Sequence, residues 1–204
     1  MGCTKLISFL VLGLGCMALG AYQAESPTIY LIGDSTCADK SVDSYPETGW
    51  GTPFKYFFDG VPVENHAKNG RSTKSFLEEG LWEKVKERLK PNDYVFIQFG
   101  HNDEVPTKVG RYTTPEEYRI NLSRYIQETR GHGSFPVLLT PVTRRSFEEG
   151  KLKNTHKQYA QLVLDVANEL NVPLIDMTKK SMDLVESWGE EKSELLYLHL
   201  VQGE

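Results

Sequence analysis

After its first two dozen residues the chain alternates short apolar runs with stretches of helical spacing. Thr28 to Ile32 is a run of buried-strand character that leads into Gly33. Trp50 to Asp59 reads as a helix, and Val61-Pro62-Val63 as the start of a short strand. From Phe76 to Lys90 the apolar positions are 76, 77, 81, 82, 85 and 89, which is helical spacing, with Gly80 as an internal break. Pro91-Asn92-Asp93 makes a turn into the clearest strand, Tyr94 to Phe99, which Gly100 stops. Thr114 before Pro115 and Glu116-Glu117 starts a helix with a capping residue, a first-turn proline and early acids, and the helix runs to about Arg130. Pro136 to Thr140 is a fourth strand. Asn154 to Leu170 is a helix with Tyr159, Leu162, Val163, Val166, Ala167 and Leu170 on its inner face. Pro173 to Asp176 is a fifth strand, and Lys179 to Trp188 a helix that Gly189 ends. Strands alternating with helices predict βαβ units and a five-stranded, mostly parallel sheet covered on both faces, in a single domain.

The first residues follow a different logic. Lys5 precedes a nearly unbroken apolar run from Leu6 to Ala21, followed by small residues, so residues 1–24 are expected to be a secretory signal peptide. Cleavage after Gly20 places Ala18 and Gly20 at the two small-residue positions. Gly15-Cys16 opens the alternative of a lipid anchor, but Gly13 stands where a larger aliphatic residue is expected. Soluble secretion is therefore preferred, with membrane association only if Cys16 is lipidated. Of the three cysteines only Cys37 lies beyond the leader, so the mature chain is expected to form no internal disulfide. Removing Lys5 with the leader moves the formal net charge from −5 to −6. A mildly acidic chain with no basic block is a poor nucleic-acid binder.

In a parallel sheet ligands bind beyond the carboxyl ends of the strands. Gly33-Asp34-Ser35-Thr36 follows the first strand, and Asn65 to Ser72, with Asn69-Gly70 inside it, follows the second. Gly100-His101-Asn102-Asp103 follows the third, and Pro141 to Arg145 the fourth. Glycine, serine and carboxamide therefore converge on one edge, a set suited to acyl transfer. A serine hydroxyl needs a base, and the oxyanion formed on attack needs preorganised donors. Ser35 is the candidate nucleophile. Its own N–H, the Gly70 N–H and the Asn102 amide are candidate oxyanion donors.

These three blocks resemble the first three conserved blocks of the SGNH (GDSL-like) hydrolases, with Ser35, Gly70 and Asn102 in the positions of the serine, glycine and asparagine. Asn69 to Thr73, Phe99 to Asp103, Thr140 to Arg145 and Pro173 to Asp176 resemble the rhamnogalacturonan acetylesterase branch in particular. The likeness runs from Thr28 to Leu200. It implies a three-layer α/β/α flavodoxin-like fold over residues 25–204 and removal of acetyl groups from pectic polysaccharide. It also implies that no metal or other cofactor takes part.

The family's last block is Asp-x-x-His, whose histidine is the general base. No aspartate of this chain has a histidine three residues later. The chain is accordingly expected to be incomplete at its C-terminus, to lack the family's last helix and to be nearly inactive. Losing a triad base costs about 10⁴ to 10⁶ in turnover. Such a helix buries roughly five apolar side chains at about 1.5–3 kcal/mol each, comparable to a domain's whole stability of about 5–15 kcal/mol.

Other polar residues have plainer readings. Asp34 suits a turn. His101 is structural in the resembling family, His66 and His132 read as loop or packing residues, and His156 opens a helix facing solvent. His199 serves as a substitute base only if the tail folds toward Ser35. Arg144 and Arg145 suit bidentate contact with a galacturonate carboxylate, or form a solvated surface pair. Trp50 and Trp82 sit in helical settings that favour core packing over sugar stacking. The alternatives are a carbohydrate-binding relic without turnover, or an SGNH esterase or lipase acting on another acyl ester. The chain has no Gly-x-Ser-x-Gly elbow and no phosphate-binding Gly-x-x-x-x-Gly-Lys loop.

Overall fold

The computed structural model describes residues 26–197. The leader, the Cys16 anchor and His199 lie outside the described residues. The sheet is built from β1 (Ile29–Gly33), β2 (Val63–Asn65), β3 (Tyr94–Gln98), β4 (Phe135–Leu139) and a later strand, β7 (Leu174–Ile175). They run in the order β2-β1-β3-β4-β7, and every pairing is parallel. A two-stranded hairpin, β5 (Phe147–Glu148) with β6 (Lys151–Leu152), lies outside that sheet and is not foreshadowed by the apolar pattern.

The pleat of β1 shows why both faces are covered. Tyr30 and Ile32 point into one core with Val95, Ile97 and Phe99. Ile29 and Leu31 point into another with Cys37, Ala38 and Ala67, against which Trp50, Phe54, Phe58 and Phe96 pack. The first core holds residues of four helices: α2 (Thr73–Glu78), α3 (Leu81–Lys86), α4 (Pro115–Gly131) and α5 (Lys157–Glu169). Trp82 is fully buried there, with its indole N–H donating to Glu128 at 2.6 Å, so it is a packing residue.

The expected helices are present with altered bounds. The 50–59 segment is a short α1 (Gly51–Phe54) followed by a 3-10 turn. The 76–90 segment divides at Gly80, whose φ of 68° is left-handed. Its first half starts earlier than the apolar spacing suggests because Ser72 caps it reciprocally with Ser75. The last helix, α6 (Met177–Lys192), is capped by Asp176 and carries a non-helical Gly189 near its end.

Candidate active site

Gly33 is confined at the end of β1, since a Cβ there would lie 2.5 Å from the Gln98 carbonyl oxygen. The chain then turns at Asp34, which is fully buried. Asp34 Oδ1 accepts from Thr36 N at 2.9 Å, and its carbonyl accepts from Cys37 N and Ala38 N at 3.2 and 3.1 Å. Asp34 therefore shapes the turn, and Ser35 sits half-buried on it. The Ser35 N–H donates to no protein group among the described residues.

Lys40 ties this turn to the next block. Its side chain is only 4% exposed, and its ammonium lies 2.8 Å from Glu47. The same group donates to the Ser35 carbonyl at 2.6 Å and to Asn69 Oδ1 at 2.8 Å. Three donors thus meet three acceptors. Gly70 follows with φ of 76°, a conformation that strains any side chain. A Cβ there would also approach Arg111 Nη1 to 3.1 Å. The Gly70 N–H, like that of Ser35, has no protein acceptor among the described residues.

Asn102 closes the set. It is 3% exposed, and its Nδ2 donates to the Arg71 carbonyl at 2.8 Å. Lys108 donates to its Oδ1 at 2.7 Å. An ammonium has no acceptor, so this contact fixes which end of the carboxamide is oxygen and leaves Nδ2 with a second hydrogen. Ser35, Asn69-Gly70-Arg71 and Asn102 are thereby linked, through Lys40 on one side and the Asn102 amide on the other. They follow β1, β2 and β3, at the carboxyl rim of adjacent parallel strands.

Asp103 supports this rim from below. Its Oδ1 accepts from Thr73 N at 2.9 Å and Thr73 Oγ1 at 2.5 Å, which pins the start of α2, and from Thr113 Oγ1 at 3.1 Å. Burial pushes its carboxyl up to about 7, with the hydrogen bonds from Thr73 and Thr113 opposing and nearby Asp34 reinforcing the rise.

The remaining polar residues are placed differently. His156 does not face solvent. It is 1% exposed, with Nδ1 3.0 Å from Glu104 and its ring 4.3 Å from that of His101. His101 Nε2 donates to the Val142 carbonyl at 2.8 Å, and burial lowers its ring to about 4, so it is neutral near pH 7. Arg144 donates to Glu104, to Thr155 Oγ1 and to the His101 carbonyl. Burial raises the Glu104 carboxyl, but His156 and Arg144 outweigh it and hold the group below its usual range. Arg145 donates to Ser193 Oγ, the Glu190 carbonyl and Glu194. Both arginines are thus spent on protein groups, neither as a free carboxylate clamp nor as a solvated pair. Lys40, Lys108 and Arg111 escaped the sequence reading because they lie in loops with no periodicity. Among the described residues no group of three or more His, Cys, Asp or Glu gathers to hold a metal ion.

Residues 31–200 match the GDSL-like lipase/acylhydrolase family. Over 172 residues the chain is 40% identical to rhamnogalacturonan acetylesterase RhgT of Bacillus subtilis, covering 83% of this chain and 73% of that protein. The crystal structure of protein YxiM from Bacillus subtilis superposes with a TM-score of 0.77 at 28% identity, covering 85% of this chain and 49% of that one. The acetylxylan esterase Axe2 of Geobacillus stearothermophilus shares the fold at a TM-score of 0.60 and 22% identity, over 80% of this chain and 82% of that one. With the family matched from the first strand onward, the chain belongs to the GDSL-like lipase/acylhydrolases, the SGNH family of carboxylic ester hydrolases.

Proposed function

We propose that this chain is built as a serine acetylesterase acting on pectic polysaccharide, and that residues 1–204 alone lack its general base. The observation that carries the reading is the tying of Ser35 to Asn69 by Lys40 and of Asn102 to the Arg71 carbonyl, which brackets Gly70 between them at one rim. Ser35 Oγ attacks the acetyl carbon and its proton passes to a base. The Ser35 N–H, the Gly70 N–H and Asn102 Nδ2 hold the oxyanion, each such donor contributing about 10²–10³ in turnover. The sugar alcohol leaves with a proton, and water then releases acetate from Ser35. The likeness to RhgT, whose name specifies rhamnogalacturonan, supports the choice of substrate. The apolar leader over residues 1–24 fits an enzyme that meets polysaccharide outside the cell.

Since the sequence holds no Asp-x-x-His, turnover by these 204 residues falls about 10⁴ to 10⁶ below that of a complete triad. Imidazole in solution offers a substitute proton acceptor. With it, the chain is expected to release acetate from acetylated rhamnogalacturonan, and Ser35→Ala to abolish the release. Equal rates from the two chains would remove Ser35 as nucleophile. The second reading is a carbohydrate-binding protein that keeps the crevice without turnover. Tight binding of acetylated pectin with no imidazole-dependent acetate release would establish that instead.

A further inference from the structure

Several cations surround the rim, and three of those near Ser35, Gly70 and Asn102 have protein acceptors. Lys40 serves Ser35, Asn69 and Glu47. Lys108 serves Asn102. Arg71 forks onto Glu79 at 2.9 and 2.8 Å and reaches the Asn69 carbonyl. Arg111 differs. It is exposed, its backbone N donates to the Lys108 carbonyl at 3.0 Å, and its guanidinium donates to no protein group among the described residues. That free guanidinium lies against Gly70: a Cβ there would come within 3.1 Å of Nη1 and 3.3 Å of Cζ.

We propose that Arg111 is the carboxylate-binding residue of a uronate subsite adjoining the ester site. The proposal deepens the pectic acetylesterase reading and rests on it. A guanidinium is always charged and presents paired N–H groups that match a carboxylate edge to edge. Its position against Gly70, the residue whose N–H is assigned to the oxyanion, puts a carboxylate held by Arg111 on the acetylated sugar or its immediate neighbour. The absence of a side chain at Gly70 thus serves twice, freeing the backbone donor and letting the guanidinium approach. Arg144 and Arg145, the arginines that sequence alone suggests for this role, have their donors engaged elsewhere.

The test is a binding measurement, so it does not depend on turnover. Calorimetric titration of the chain with a galacturonic acid trisaccharide is compared with its carboxyl-reduced counterpart. The acidic form is expected to bind more tightly, with an advantage that shrinks as salt is added. Arg111→Gln should weaken acidic binding about tenfold or more, the loss of one charge-assisted pair, and leave neutral binding unchanged. Arg111→Lys, which keeps the charge and loses the fork, should recover part of the affinity. The thermal melts of both variants verify that they are folded. Unchanged acidic binding in Arg111→Gln overturns the Arg111 assignment and leaves the pectic reading standing. A wild-type chain that binds the neutral trisaccharide as well as the acidic one overturns both.

Discussion

At the scale of single residues, the site depends on groups that do not touch the reacting atoms. Lys40 is the clearest case, because one buried ammonium holds the Ser35 carbonyl and the Asn69 carboxamide together. Replacing it leaves two acceptors at the rim unpaired and frees the turn that carries Ser35. Lys40→Met is therefore expected to lower the turnover number of imidazole-supported acetate release while the Michaelis constant stays nearly constant, since Lys40 is a positioning residue. Unfolding in urea should show a loss of about 1–2 kcal/mol, below the value for a fully buried pair because Glu47 is 42% exposed. A rise in the Michaelis constant at unchanged turnover would instead place Lys40 in contact with substrate. Asn102 is held in the same indirect way, with Lys108 on its oxygen and Arg71 on its nitrogen. Lys108 is not visible in the sequence as part of a motif, whereas Asn102 and Arg71 are.

At the scale of elements, legibility follows burial and punctuation. The apolar runs ending at Gly33 and Gly100 are read within a residue of β1 and β3, because glycine marks where each strand must stop. Thr114 and Pro115 place the start of α4 correctly, since the cap, the N1 proline and Glu117 all agree. By contrast, α2 begins at Thr73 because of polar Ser72 and Ser75, which apolar spacing does not register. The β5-β6 hairpin carries too few apolar positions to make a pattern. The cluster of Glu104, His156 and Arg144 joins residues 40 and 52 apart in sequence, so only the fold reveals it. The three site motifs are legible because each follows its strand within a few residues. The cap of α4 allows a direct measurement. Thr114 accepts from Glu117 N at 3.2 Å and its own N donates to Glu117 at 2.7 Å. Thr114→Ala should cost about 1 kcal/mol and lower the melting temperature by about 2–4 °C. A change within error would mean that Pro115 and the packing of Tyr118 and Leu122 set the helix start without the cap.

At the scale of the whole molecule, buried carboxyl groups of opposite tendency set how stability varies with pH. Glu128 is partly buried, which raises its carboxyl, but Lys86, Arg124 and Trp82 prevail and hold it at about 2. Glu64 and Glu104 are lowered as well. The stability these groups supply is present above the ordinary carboxylate value of 4.5 and is lost as pH falls through their folded values. Asp103 acts in the opposite sense. Its ordinary value is 3.8, and burial carries it to about 7 in the fold. Between those values the unfolded chain has released this proton while the folded chain retains it. Folding then takes up a proton, and stability declines as pH rises from about 4 to about 7. His101 opposes Asp103, since burial holds its ring at about 4 against an ordinary 6.5 and stability rises with pH between those values. Asp103→Asn keeps an oxygen to accept from Thr73 and Thr113 but has no proton to exchange. Urea midpoints should therefore change little between about pH 4 and 6.5 in the wild-type chain, where the two groups offset, and rise with pH in the variant. Parallel profiles in the two chains would show that Asp103 is already ionised in the fold, and that its three donors outweigh its burial.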